Sequence, residues 1–233
     1  MIPARAGSTA IPGKNVAMLA GRPLLDWTCE AARASRRLTR TVLTTDSEEI
    51  AAAGRRCGIE VPFLRPAALA GDDTPMVDVL RHALSCLKQH QYEPSVLVLL
   101  QPTSPLRRAE HIDAAVDLLL ATGADTVVSV VAVPHQFTPG SLMRVEAERL
   151  VPVEAGGGPL RRQDKPVLYA RNGPAVLAVR KAIVVAGGLY GPDTRPLVMA
   201  REESIDIDDA FDLQVAEALL TRRPAVAGRG GSE

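Results

Sequence analysis

Little in this chain invites a nucleic acid, a bilayer or a disulfide scaffold. Its 27 basic and 27 acidic side chains cancel, so no general field draws it to a polyanion and any anion site must be local. The longest apolar stretches, such as 96–100 and 127–133, fall far short of the ~20 residues that a bilayer span needs. No basic region followed by an apolar core opens the chain, and a soluble protein is expected. Cys29, Cys57 and Cys86 show neither a CxxC nor a His-paired spacing. They are expected to be structural thiols of a cytoplasmic protein. No internal repeat is present.

Two familiar phosphate loops are absent as well. A Walker A loop places four residues between its glycines and follows its lysine with Ser or Thr. Here five residues separate Gly7 from Gly13, and Lys14 precedes Asn15. The Gly-x-Gly-x-x-Gly spacing of dinucleotide folds does not occur in this loop, which argues against NAD.

What is present at that place is Ile2-Pro3-Ala4-Arg5-Ala6-Gly7-Ser8-Thr9-Ala10-Ile11-Pro12-Gly13-Lys14-Asn15, an apolar strand end running into a loop with two cations. Gly7 and Gly13 let the backbone approach an oxyanion closely, and Arg5 and Lys14 bracket it with charge. An ordinary Gly/Pro turn is the alternative.

Short β-branched runs at 41–45, 61–64, 96–100 and 126–133 alternate with helical patterns at 24–34, 47–57, 76–90 and 109–121. Such a series predicts an α/β fold: a mostly parallel sheet with helices on both faces and ligands beyond the carboxyl ends of its strands. The alternation breaks at 134–171, which reads as an insertion. It resumes with a strand at 175–179, a short helix from Arg180, a strand near 197–199 and a last helix over about 210–220. A single domain over 1–224 and a disordered tail over 225–233 are expected. Only four residues precede the first loop, against the ~5 of a typical strand, so a start upstream or a shortened strand is also expected.

In Ser204-Ile205-Asp206-Ile207-Asp208-Asp209 an extended backbone puts Asp206 and Asp208 on one side and the isoleucines on the other. Paired carboxylates opposite a cationic loop suit Mg²⁺, which is commonly held by one or two carboxylates plus phosphate oxygens. The same residues could instead cap a helix, with Asp208 or Asp209 at its N-terminus. Gln101-Pro102-Thr103-Ser104-Pro105-Leu106-Arg107 follows an apolar strand and offers an amide, two hydroxyls and a guanidinium. Leu64-Arg65-Pro66 occupies the equivalent place earlier.

Taken together with Arg161-Arg162-Gln163-Asp164 and Arg171-Asn172-Gly173, these motifs resemble, in order and spacing from Ile2 to Leu220, the acylneuraminate cytidylyltransferases. The resemblance implies a three-layer α/β/α nucleotidyltransferase that uses CTP and Mg²⁺ to make a CMP-activated nonulosonic acid and pyrophosphate. It implies that Arg5 and Lys14 hold the triphosphate with Gly7, Ser8 and the loop amides, and that Asn15 and Arg65 contact cytidine. It also implies that Gln101 reaches the sugar, that Asp206 and Asp208 bind the metal, and that the insertion, with Arg162, pairs two subunits into a homodimer. Tyr190 or Tyr169 would supply an aromatic wall for the sugar, or would serve in packing. Thr9-Ala10 stand where the family usually has Lys-Gly, one cation fewer. Some motifs, with Trp27, also resemble the CMP-Kdo synthetases, which leaves Kdo or another acidic acceptor, or CTP binding without turnover, as alternatives.

Overall fold

The computed structural model describes residues 1–7, 11–153 and 166–222. Ser8, Thr9, Ala10 and Arg162, and the tail expected over 225–233, lie outside the described residues.

The sheet is assembled from the middle outwards. Strand β1 (Ile2–Pro3) runs parallel to β4 (Leu43–Thr44), and Met1 exchanges hydrogen bonds with Val98 and Leu100 beside β5 (Val96–Leu99) on its other side. Next come β10 (Leu177–Arg180), β6 (Thr126–Ala132) and β11 (Thr194–Met199). Strand β10 is antiparallel to both neighbours, while β11 and β6 are parallel.

Alternation of side chains along the strands builds two cores. On β5, Val98 and the following Leu100 face one cluster with Leu25, Cys29, Ile50, Ile112 and Val116, while Leu97 and Leu99 face another with Leu80, Leu84, Leu87 and Val184. The first cluster is closed by helices α1 (Leu24–Ala34), α2 (Glu48–Arg56) and α4 (Ala109–Thr122). The second is closed by α3 (Met76–Gln89) and α5 (Lys181–Val185). Both faces of the sheet are therefore covered, giving the expected three layers. No helix among the described residues is long and apolar enough to cross a membrane.

The run 61–64, expected as a strand, is not one. Only Glu60, just before it, bridges to Val42, and Pro62 and Pro66, which carry no N–H, cannot extend a ladder. The expected strand at 41–45 is reduced to Leu43–Thr44, and β1 spans two residues. The expected insertion carries the hairpin β7 (Met143–Glu146) and β8 (Arg149–Pro152), and then β9 (Tyr169–Arg171), which returns antiparallel along the distal half of β6. A second small hairpin, β2 (Met18–Leu19) and β3 (Arg22–Pro23), turns on Ala20 and Gly21, both at positive φ. The last helix, α6 (Ala210–Arg222), closes a third apolar cluster around Leu19, Leu24, Leu106 and Ile207.

Candidate active site

The loops that leave the carboxyl ends of β1 and β5, and the segment after Glu60 that carries Arg65 and leads to α3, meet around a cleft of about 190 Å³ lined by Arg5, Gly7, Lys14, Asn15, Arg65, Met76, Gln101 and Thr103, with Pro3 and Pro102. Six of the residues singled out from the sequence thus share one wall-to-wall space. A larger cleft of about 430 Å³ opens at the amino-terminal ends of the same strands, past Met1, Val42 and Val96. It holds none of the candidate residues, and ligands in open α/β sheets bind at the carboxyl ends.

Local geometry explains how the first loop presents its charges. Gly13 sits in the left-handed region at φ 61 and starts a single 3₁₀ turn, Lys14–Val16, a conformation that glycine adopts without steric cost. Asn15 is buried in that turn, and its amide donates to the Arg5 carbonyl at 2.9 Å. The two ends of the loop are thereby clipped together. Arg5 pairs with Asp72 and donates to the Ala70 carbonyl at 3.4 Å. Lys14 Nζ donates to the carbonyl of Ile207 at 2.7 Å.

Arg65 is 5% exposed, and its backbone N–H is bound to Thr45 O at 2.7 Å. Its Nε is buried without a hydrogen-bond partner, an uncommon state that points to a missing polar ligand or water. Burial lowers the pKa of Arg65, an effect that nearby Asp46 opposes and Arg5 reinforces.

The segment 204–208 is not helical, and Ile207 N donates to Thr103 O at 2.8 Å. Ile207 is fully buried and Asp208 exposed. Asp206 is half-buried, and burial raises its pKa above the usual carboxylate range. Thr103 and Lys14 act against that rise, and Asp208 and Asp212 add to it. Its Oδ1 completes no hydrogen bond. The alternative capping role falls to Asp209, whose Oδ1 accepts from Phe211 N at 2.8 Å and Asp212 N at 3.0 Å. Among the described residues no group of three or more His, Cys, Asp or Glu could hold a metal unaided. An orphaned carboxylate oxygen beside a second carboxylate nevertheless fits a divalent cation that takes its remaining ligands from a phosphate.

Two residues whose roles the sequence left open stand away from the cleft. The guanidinium of Arg107, one of the polar groups that the 101–107 motif offers, turns into the core and donates to Gln101 O at 3.0 Å, Ala175 O at 2.7 Å and Thr28 Oγ1 at 2.5 Å. Burial lowers its pKa to about 9, and it acts as a brace under the 101–107 loop. Tyr190 does not line the cleft. Its ring stacks on the Arg171 guanidinium, 4.9 Å from the ring centroid.

The structure also brings together residues that the sequence offered only as members of a motif, without a role. Thr103 Oγ1, Ser104 Oγ and Asn172 Oδ1 are buried without partners, and a Cβ on Gly173 would lie 3.0 Å from Ser104 Oγ and 3.1 Å from Asp206 Oδ2. Gly173 also has φ +112, where L side chains are strained. We therefore expect Gly173→Ala to push Asp206 out of place and lower kcat at least about tenfold, a loss of ~1.4 kcal/mol in transition-state stabilisation. Wild-type turnover in that variant would show that the approach is not needed. The signal was available in Arg171-Asn172-Gly173, but nothing local to it shows that it abuts Asp206.

The cytidylyltransferase family model matches residues 1–183, most of the chain. The chain belongs to the cytidylyltransferase family. It is 34% identical to the CMP-N,N'-diacetyllegionaminic acid synthase of Legionella pneumophila over 94% of each chain. It is 32% identical to the N-acylneuraminate cytidylyltransferase of Escherichia coli over 96% of this chain but 52% of that protein, so it spans about half the length of this relative. Its fold superposes on a CMP:2-keto-3-deoxy-manno-octonic acid synthetase solved with CTP, at a TM-score of 0.69 and 16% identity over 94% of this chain and 96% of that one. This likeness shows the nucleotidyltransferase fold. The cytidylyltransferase match covers all three loops around the cleft but ends before the 204–208 carboxylates.

Proposed function

We propose that this cytidylyltransferase transfers CMP from CTP to the anomeric hydroxyl of a nonulosonic acid, releasing pyrophosphate. The observation that carries the reading is that Arg5 and Lys14 share one cleft at the carboxyl ends of the strands, while Lys14 Nζ also donates to the carbonyl of Ile207, between the two carboxylates of 204–208. The similarity to the legionaminic acid and N-acylneuraminate enzymes supports the acceptor class.

The anomeric oxygen attacks the α-phosphorus in line, the bond from that phosphorus to the bridging oxygen breaks, and pyrophosphate leaves with the electron pair. Positioning and charge neutralisation dominate such transfers. Arg5, Lys14, Gly7 and Ser8 hold the triphosphate. Asn15 and the unpaired Nε of Arg65 read the cytidine. Gln101 orients the acceptor, and Arg162 belongs to its recognition across the assembly. Asp206 and Asp208 would hold a Mg²⁺ ion, which when bound neutralises phosphate charge. Asp206, or a water it holds, would take the hydroxyl proton.

The insertion leaves Val145 and Leu150 of the hairpin, and Val153 and Val167 outside it, at 45–72% exposure. Apolar exposure of this kind on one insertion fits burial against a two-fold mate, and we take the enzyme to be a homodimer. Its three free cysteines accord with a reducing cytoplasm. A monomer at micromolar concentration by sedimentation would remove that part of the reading.

Pyrophosphate release from CTP, measured across sialic, legionaminic and Kdo acceptors, tests the function. We expect release that requires a nonulosonic acid and stops in EDTA. Preference for Kdo would move the acceptor class. CTP binding without release would reduce the protein to a nucleotide binder.

A further inference from the structure

We infer that Glu203 is a positioning residue, clasped between Arg108 and His111 so that the segment bearing Asp206 and Asp208 is set against the 101–107 loop. The inference deepens the cytidylyltransferase reading and rests on it for its catalytic meaning.

The clasp has two donors and one acceptor. Arg108 Nη2 lies 2.7 Å from Glu203 Oε1, and His111 Nε2 lies 3.1 Å from Glu203 Oε2. The tautomer follows from the third contact: the Arg108 backbone N–H donates to His111 Nδ1 at 3.1 Å. In a neutral ring the proton must then sit on Nε2, directed at Glu203. Burial lowers the pKa of His111, with Arg108 acting the same way and Glu203 and Glu110 against it.

Both partners of this contact are largely sequestered, at 14% exposure for the Glu203 side chain and 13% for His111. A shielded, charge-assisted contact of this kind is screened far less than a surface pair. It is also placed at a mechanical junction. Arg108 and His111 begin α4 directly after the loop that Arg107 braces on the core. Glu203 ends a single 3₁₀ turn, Arg201–Glu203, after which the backbone runs without regular structure to α6.

Regular hydrogen bonding therefore does not fix where Asp206 points. The restraints on the 204–208 segment are point contacts, among them Ile207 N to Thr103 O at 2.8 Å, Lys14 Nζ to Ile207 O at 2.7 Å, Asn172 Nδ2 to Ser204 Oγ at 3.0 Å, Ser204 Oγ to Ala200 O at 2.8 Å and Asp208 N to Asp212 Oδ2 at 3.0 Å. Lys14 is also the residue assigned to the triphosphate, so its hold on Ile207 competes with substrate. The Glu203 clasp touches no proposed substrate group and can hold the segment throughout the cycle.

The test compares Glu203→Ala with Asp113→Ala. Asp113 is another bonded carboxylate on α4, and it binds Ser35 and the backbone of Arg36 and Arg37. For Glu203→Ala we expect kcat about tenfold lower with KM for CTP within about twofold, and faster amide hydrogen exchange across 203–208 in the ligand-free protein. Glu203→Gln, which keeps the length and an accepting oxygen, should recover part of both. Asp113→Ala should lower Tm but leave kcat and the exchange of 203–208 as in wild type. If Glu203→Ala does not fold, Arg108→Ala, whose side chain is 51% exposed, removes half of the clasp and should show a smaller change of the same kind. Wild-type exchange and kcat in the Glu203 variants, or both effects reproduced by Asp113→Ala, would overturn the inference. If the wild-type protein releases no pyrophosphate from any acceptor, the functional reading fails separately, and exchange alone decides the clasp.

Discussion

Lys14→Ala should lower kcat/KM for CTP by about two orders of magnitude or more, ~2.7 kcal/mol at 1.36 kcal/mol per tenfold. The size of that loss distinguishes two roles. An exposed surface ion pair contributes at most about 1 kcal/mol, whereas a preorganised donor aimed at developing negative charge contributes 10²–10³ in rate. Lys14 lines the cleft together with Gln101 and Arg65, and its Nζ sits on the Ile207 carbonyl. It therefore has two possible employments: binding the triphosphate, or anchoring the carboxylate segment. Equilibrium CTP binding without acceptor separates them. Loss of the triphosphate contact weakens CTP binding in step with kcat/KM. Loss of the anchor alone leaves binding near wild type and lowers kcat. We expect the first result, with a change in Tm of a few degrees at most, because the lysine makes its contact through its terminal nitrogen and removes no packed apolar group from the core. Wild-type kinetics would show that the triphosphate lies elsewhere.

The helices and the loop cleft were legible in the sequence because their signals are local. Apolar spacing placed helices over 24–34 and 76–90, where α1 and α3 stand, since one face of each must meet the sheet. Arg5, Lys14, Asn15, Arg65 and Gln101 were legible as a group because a βαβ series delivers successive loops to one edge. What escaped is non-local or directional. The composition of 61–64 looks extended, yet pairing needs a partner and N–H groups that Pro62 and Pro66 do not have. Nothing in 175–180 shows that β10 slips between β5 and β6 against the direction of both. A guanidinium in a loop motif carries no sign of whether it faces ligand or core, and Arg107 faces the core. No local pattern links His111 to Glu203 until the fold joins the start of α4 to the turn before Asp206.

Asp206→Asn is expected to have the largest effect on activity and an opposite effect on stability. The substitution keeps the shape of the side chain and removes its charge, so a fall of at least about a thousandfold in pyrophosphate release isolates the charge from the geometry. The folded protein holds that charge at a cost, because the side chain is half-buried, Oδ1 is unpartnered, and Asp208 and Asp212 lie on the same side of the balance. A carboxylate whose ionisation the fold disfavours destabilises the native state at neutral pH. Removing it should raise Tm in the metal-free protein, by ~2–4 °C for each kcal/mol regained in a chain of this size. Sites under functional selection commonly give up stability in this way. Adding Mg²⁺ with CTP should then stabilise the wild type more than the variant, because only the wild type offers both carboxylates. Scanning calorimetry with and without metal and nucleotide, run beside the pyrophosphate assay, checks all three arms. Activity within tenfold of wild type would remove Asp206 from the machinery. A variant both inactive and less stable without metal would instead make Asp206 a structural carboxylate whose partners keep it in place.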